Sequence, residues 1–259
     1  MPWTAAASLG MFLLAFLAGA ATGKHRLVDA VWGPAFAVVA LVGYLASAGH
    51  GDPARRTLVL VLTAVWGIRL GAHIAWRGHG KPEDPRYEKL LSKARGSRLW
   101  FAFTRVYLLQ AVLVWVLSLP IQAAGFTSAR LGPLAVLAVL LWATGVFFEA
   151  VGDFQLARFK KDPANKGRLM DRGLYRYTRH PNYFGDACVG WGLFLLAAGS
   201  WGGAAAVVAA PIAQTLLLTA GSGARLADRH MAETRPEYAA YAARTSGFVP
   251  YPPKRARRG

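Results

Sequence analysis

Apolar residues fall in long unbroken runs instead of the alternation of a half-buried strand. Runs of about 20 residues are helices long enough to cross a bilayer core of about 30 Å. Seven are predicted: Trp3–Thr22, Leu27–Ala48, Thr57–Trp76, Leu99–Ala124, Leu131–Val151, Phe184–Gly199 and Gly202–Gly221. The sixth is the shortest. The first has the length and the Ala-Gly-Ala stretch of a secretory signal, but no Lys or Arg precedes it, so it reads as a membrane helix. The expected fold is all-α, a single polytopic helical bundle over residues 1–259.

Composition sharpens this picture. The chain is 54% hydrophobic yet carries a net charge of +17, so apolar and basic residues must be segregated along it. Alternate connections, 24–26, 77–98, 158–179 and 225–258, hold 25 of the 30 Lys and Arg. Cytoplasmic loops retain basic residues, which puts the N-terminus outside and the C-terminus inside, as expected of a bacterial plasma-membrane protein. The same scatter over short loops excludes a nucleic-acid-binding module. The tail Lys254, Arg255, Arg257 and Arg258 is expected to touch anionic membrane lipid. Cys188 is the one cysteine, which rules out an intrachain disulfide and a cysteine zinc cage, and no metal site is expected.

Ionisable groups inside apolar runs are costly and mark candidate sites. Arg69, His73 and Arg77 recur every fourth residue and share one helix face, with Asp29 near the start of the second run as a candidate partner. Glu149 and Asp153 share a face at the end of the fifth run, where the helix dipole disfavours carboxylates and calls for a polar partner. Arg105, Tyr107 and Gln110 read as packing residues of the fourth. Glu83-Asp84-Pro85-Arg86-Tyr87 reads as a solvated turn, or as the cover of an active-site mouth.

From Asp153 to Asp186 the chain carries eight Lys or Arg, two of them within the ordered string Gly173-Leu174-Tyr175-Arg176-Tyr177-Thr178-Arg179-His180-Pro181-Asn182-Tyr183-Phe184-Gly185-Asp186. Topology asks for charge there, not for that order. From Glu149 to Pro250 the sequence resembles the C-terminal domain of the steroid 5-alpha-reductase family, in a bacterial branch of it. The resemblance implies a seven-helix membrane enzyme that uses NADPH to reduce a carbon–carbon double bond conjugated to a carbonyl. It makes 1–130 the substrate-side helices and 131–259 the cofactor-binding region. By position it implies cofactor contacts at Glu149, Asp153, Lys160, Arg168, Asn182 and Asp186. Glu149 replaces an asparagine of the better-known reductases and Lys160 an arginine. Arg158, Arg176, Arg179 and His180 add donors that suit a dinucleotide bearing about four negative charges, since guanidinium grips phosphate bidentately. No Gly-x-Gly-x-x-Gly follows a strand, so any dinucleotide must sit on helices and loops.

The substrate side departs from the family. Val31 and Trp32 stand where well-known relatives carry a Gln-Glu pair, and Ile74 stands where they carry a tyrosine. A steroid substrate is therefore not implied. Enone reduction still needs a proton donor, and Asp29, His73, Tyr87 and Tyr177 are the candidates, with Tyr175 a further phenol. The expected partner is a hydrophobic or lipid-like small molecule. Two other classes stay open: a membrane methyltransferase of the isoprenylcysteine or phospholipid type, which shares an Arg-His-Pro stretch and uses S-adenosylmethionine, and a non-catalytic lipid-binding protein.

Overall fold

A computed structural model describes residues 1–199, 201–221 and 223–254. Arg255, Arg257 and Arg258 of the basic tail lie outside the described residues. Helices dominate, and among the described residues there is no β-strand, only an isolated bridge between Thr178 and Ser246. In order they are α1 (Pro2–Thr22), α2 (Leu27–Ala46), α3 (Pro53–Gly78), α4 (Pro85–Leu91), α5 (Arg98–Leu117), α6 (Leu119–Ala124), α7 (Pro133–Lys161), α8 (Pro181–Ala197), α9 (Trp201–Val207), α10 (Ala209–Thr219), α11 (Ala224–Thr234) and α12 (Tyr238–Arg244). Six stretches among the described residues are long and apolar enough to cross a membrane: α1, α2, α3, α5, α7 and Gly202–Thr234. The remaining expected span is α8, a 17-residue helix that starts at Pro181, three residues earlier than the apolar run suggests.

The chain divides into two compact units, residues 1–132 with 193–210, and residues 133–192 with 211–259. In the first unit α2 and α3 approach closely. Gly33 and Gly67 face each other so tightly that a Cβ on either would meet the other's carbonyl, and Gly71 lies against the Pro34 ring. Small residues permit such contact where lipid offers no hydrophobic drive between helices. Several buried polar groups tie α1 to later helices: Ser8 donates to the Ala111 carbonyl at 2.8 Å, and Thr4 donates to Gln122 Oε1 at 2.6 Å. Arg55 at the start of α3 is buried and donates to the carbonyls of Ala129, Arg130 and Leu196, which closes those loop and helix ends. The expected span Leu99–Ala124 breaks at Ser118, because Pro120 in the first turn of α6 cannot continue the ladder. It also contains a π-helical turn, Phe103–Leu108.

In the second unit α7 runs for 29 residues, ten beyond the end of the apolar run. Glu149 and Asp153 therefore sit inside the helix, not at its C-terminal end, and the dipole argument for a polar partner does not apply to them. Arg158, Lys160 and Lys161 occupy the last turn, where cations are favoured. α8 packs on α7 through facing glycines: a Cβ on Gly145 would meet the Gly185 carbonyl, and one on Gly152 would lie 3.1 Å from the Pro181 ring.

Candidate functional site

Two polar clusters stand out, one in each unit. In the first, the segment 82–87 is not a free solvated turn. The Glu83 carboxylate accepts the backbone N–H groups of His25 and Arg26, the latter at 3.0 Å, and so caps the turn that opens α2. Arg26 donates to the Pro82 carbonyl at 2.7 Å. Asp84 caps α4 and accepts Arg86 at 2.9 Å. Tyr87, 8% exposed, donates to Asp29 Oδ1 at 2.5 Å, and Arg86 donates to Asp29 Oδ2 at 3.0 Å. Burial, reinforced by the Asp29 charge and hydrogen bond, raises the Tyr87 pKa far above the ordinary phenol range, so the phenol carries its proton near neutral pH. The Arg86 hydrogen bond holds the Asp84 carboxyl below its ordinary range.

Asp29 and Tyr87, singled out separately in the sequence, thus form one hydrogen-bonded pair. His73 and Arg69 are half-buried on α3, and the His73 ring lies 5.9 Å from that of Trp76. His25, masked in the sequence by its basic neighbours, is 8% exposed and shares a 2.9 Å hydrogen bond with Tyr107. Burial lowers its pKa more than Glu83 raises it.

The second cluster forms where the string 173–186 folds. Gly173, with φ at 58°, opens a short 3-10 turn that Gln155 pins by accepting the Leu174 N–H at 2.9 Å. Residues 175–180 are then fastened to the C-terminal segment. Tyr241 donates to the Tyr175 carbonyl at 2.6 Å, Thr178 donates to the Phe248 carbonyl at 2.7 Å, and the Arg179 N–H donates to the Ser246 carbonyl at 2.9 Å. This turn delivers Arg179 and His180 to one carboxylate on α11. Asp228 Oδ2 pairs with Arg179 at 3.0 Å, while Asp228 Oδ1 meets His180 Nε2 at 2.6 Å and accepts the Tyr238 hydroxyl. Burial lowers the His180 pKa against the opposing pull of Asp228, and burial together with Asp228 raises that of Tyr238. The Tyr183 ring stacks on His180 at 5.3 Å.

Arg179, Arg225, Asp228, Thr219, Gly247 and Phe248 help to line an open cavity of about 440 Å³. The Arg179 Nε–H is buried and has no hydrogen-bond partner among the described residues. Two guanidiniums at one cavity suit an anionic group such as a phosphate.

The other expected cofactor residues distribute unevenly over this unit. Glu149 is 2% exposed, and its side chain lies against Gly185 of α8. Asp153 and Asn182 are half-buried, and Asp186 accepts Gln214 at 3.0 Å. Arg158, Lys160, Arg168 and Arg176 are exposed, and Tyr177 is 42% exposed, whereas its neighbour Tyr175 is buried. Asp228, Arg225 and Tyr238 escaped the sequence reading, because their segment looked like one more basic topogenic connection. An acid set between Arg225 and Arg229 was the signal to follow.

These features define a polytopic helical membrane protein with a polar, arginine-bearing cluster in its second unit. The chain belongs to the family described as "Protein of unknown function (DUF1295)", whose model matches residues 15–245 and whose members are steroid 5-alpha-reductase-like membrane proteins. A 62-residue stretch is 37% identical to the probable O-methyltransferase ustE of Ustilaginoidea virens, a match that covers 24% of this chain and 21% of that protein. No solved structure matches the chain.

Proposed function

We propose that the protein is a membrane-bound reductase that uses NADPH to saturate a carbon–carbon double bond conjugated to a carbonyl in a hydrophobic, isoprenoid- or lipid-like substrate. The observation that carries this reading is the cavity lined by Arg179 and Arg225 beside the Arg-His-Pro-Asn turn. Arg179 and Arg225 would hold a phosphate of the cofactor. Glu149, Asp153, Asn182 and Asp186 along α7 and α8 offer acid and amide groups of the kind that bind ribose hydroxyls and a carboxamide. The exposed Arg158, Lys160, Arg168 and Arg176 raise the local concentration of any anion. Bound NADPH supplies the hydride. The proton that the reaction also needs has candidate sources in Tyr87 with Asp29, in His73 and in the exposed Tyr177.

A second reading is favoured by the 62-residue match to a probable O-methyltransferase. In that case S-adenosylmethionine takes the place of NADPH. Full-length protein purified in mild detergent separates the two. Mass spectrometry of the co-purifying small molecules and titration with both cofactors should show NADPH bound more tightly, with Asn182→Ala weakening it. Tight S-adenosylmethionine binding with no response to NADPH would establish the methyltransferase. Binding of neither, with lipid retained, would leave a lipid-binding protein.

A further inference from the structure

Arg179 is fixed. Its backbone N–H is bonded to Ser246, its guanidinium lies 5.9 Å from the Tyr238 ring centroid, and its side chain is 19% exposed. The anchored main chain keeps the residue at the cavity, and its guanidinium is the part left to exchange partners. Asp228, its counter-ion, is tied differently. One carboxylate oxygen is held by His180 and Tyr238, and the other meets Arg179. Losing Arg179 would leave Asp228 still anchored by two donors, and burial favours the neutral form of His180. Beside this pair the cavity offers Arg225, a hydroxyl on Thr219, and an apolar wall of Ala220, Ala224 and Phe248.

We propose that Asp228 is a displaceable counter-ion: a nucleotide phosphate monoester entering the cavity takes Arg179 from Asp228 and shares it with Arg225, while the base lies on the Phe248 wall. This rests on the reductase reading and deepens it, because a 2′-phosphate is what distinguishes NADPH from NADH. The carboxylate thereby sets a threshold. A dianionic phosphate competes with it for Arg179, and a neutral ribose hydroxyl does not.

The test is calorimetric titration of the full chain in detergent with adenosine 2′,5′-bisphosphate. 5′-AMP reports the contribution of the 2′-phosphate, and dihexanoyl phosphatidic acid stands for a lipid headgroup. Asp228→Asn keeps an acceptor for His180 and Tyr238 but removes the charge facing Arg179, and should bind the bisphosphate about tenfold more tightly. Arg225→Gln, a change at an exposed position, should bind it about tenfold more weakly. Affinity within twofold of wild type in a folded Asp228→Asn protein overturns the proposal. So does the same result in Arg225→Gln, which decides the matter if the first variant does not fold. Gains confined to phosphatidic acid overturn the nucleotide assignment. If NADPH binds and neither variant changes the affinity, this inference fails and the reductase reading stands; if wild type binds S-adenosylmethionine and no nucleotide, both fail.

Discussion

Removing the Tyr87 hydroxyl tests whether the Asp29–Tyr87 pair holds the first unit together. The hydroxyl is buried, donates to a carboxylate at 2.5 Å and sits on α4, 58 residues along the chain from its partner. A hydrogen bond to a charged group contributes roughly 1.5–3 kcal/mol, so Tyr87→Phe should cost about 2 kcal/mol. Asp29→Ala removes the same bond and also the Arg86 contact. With the Arg86 side chain 65% exposed that contact adds at most about 1 kcal/mol. Arg86 keeps Asp84, so no charge is left stranded. The two single losses should therefore not add. In a double-mutant cycle measured by equilibrium unfolding in mixed micelles, the coupling energy should be about 1.5–2 kcal/mol. NADPH affinity, read in parallel, should not move. A coupling below about 0.5 kcal/mol would show that the pair does not act as a unit, and the assignment of Tyr87 as the clamp on Asp29 would be wrong.

Acid should loosen the fold. His25 and His180 both have folded pKa values below 6.5, so the unfolded chain binds more protons; the stability they confer is present above about pH 6.5 and is lost as pH falls through their folded values. Melting temperatures between about pH 5 and 7.5 should fall on the acid side, and a His25→Gln, His180→Gln protein should show a flatter profile. Gly185→Val would drive a side chain into α7 at the Gly145 carbonyl and Glu149, so it should cost about 1–3 kcal/mol or more by overpacking, seen as a lowered melting temperature. Reporter fusions at position 200 and at the C-terminus should read opposite compartments, outside and inside; the same compartment for both would refute the seven-span topology.

Hydrophobic run length was enough to find the helices, because span length is set by the bilayer and not by partners. It failed where apolarity and helix part company. α7 continues past Val151 since Gln155, Arg158 and Lys160 are good helix formers that need no lipid. α5 stops at Leu117 since Pro120 lacks a donor although its surroundings stay apolar. The site was legible as residue types and not as pairings. Asp29 and Tyr87 each stood out as polar groups beside apolar runs, yet periodicity says which face a residue occupies and not which side chain it meets. Asp228 lay among arginines and was absorbed into the charge pattern, and Glu83 read as part of a turn, although each organises the residues around it.

The remote cap at Glu83 also orders events in biogenesis. α2 has no side-chain cap of its own, and the carboxylate that closes the turn before it arrives from 57 and 58 residues downstream, after the whole of α3. As the chain leaves the ribosome, the α1–α2 hairpin enters the membrane with the His25 and Arg26 N–H groups still bonded to water. Only when residue 83 has emerged and folded back can that turn close. The turn between α1 and α2 thus depends on a group made after α3, and the connection at residues 79–82 sets whether that group reaches its place.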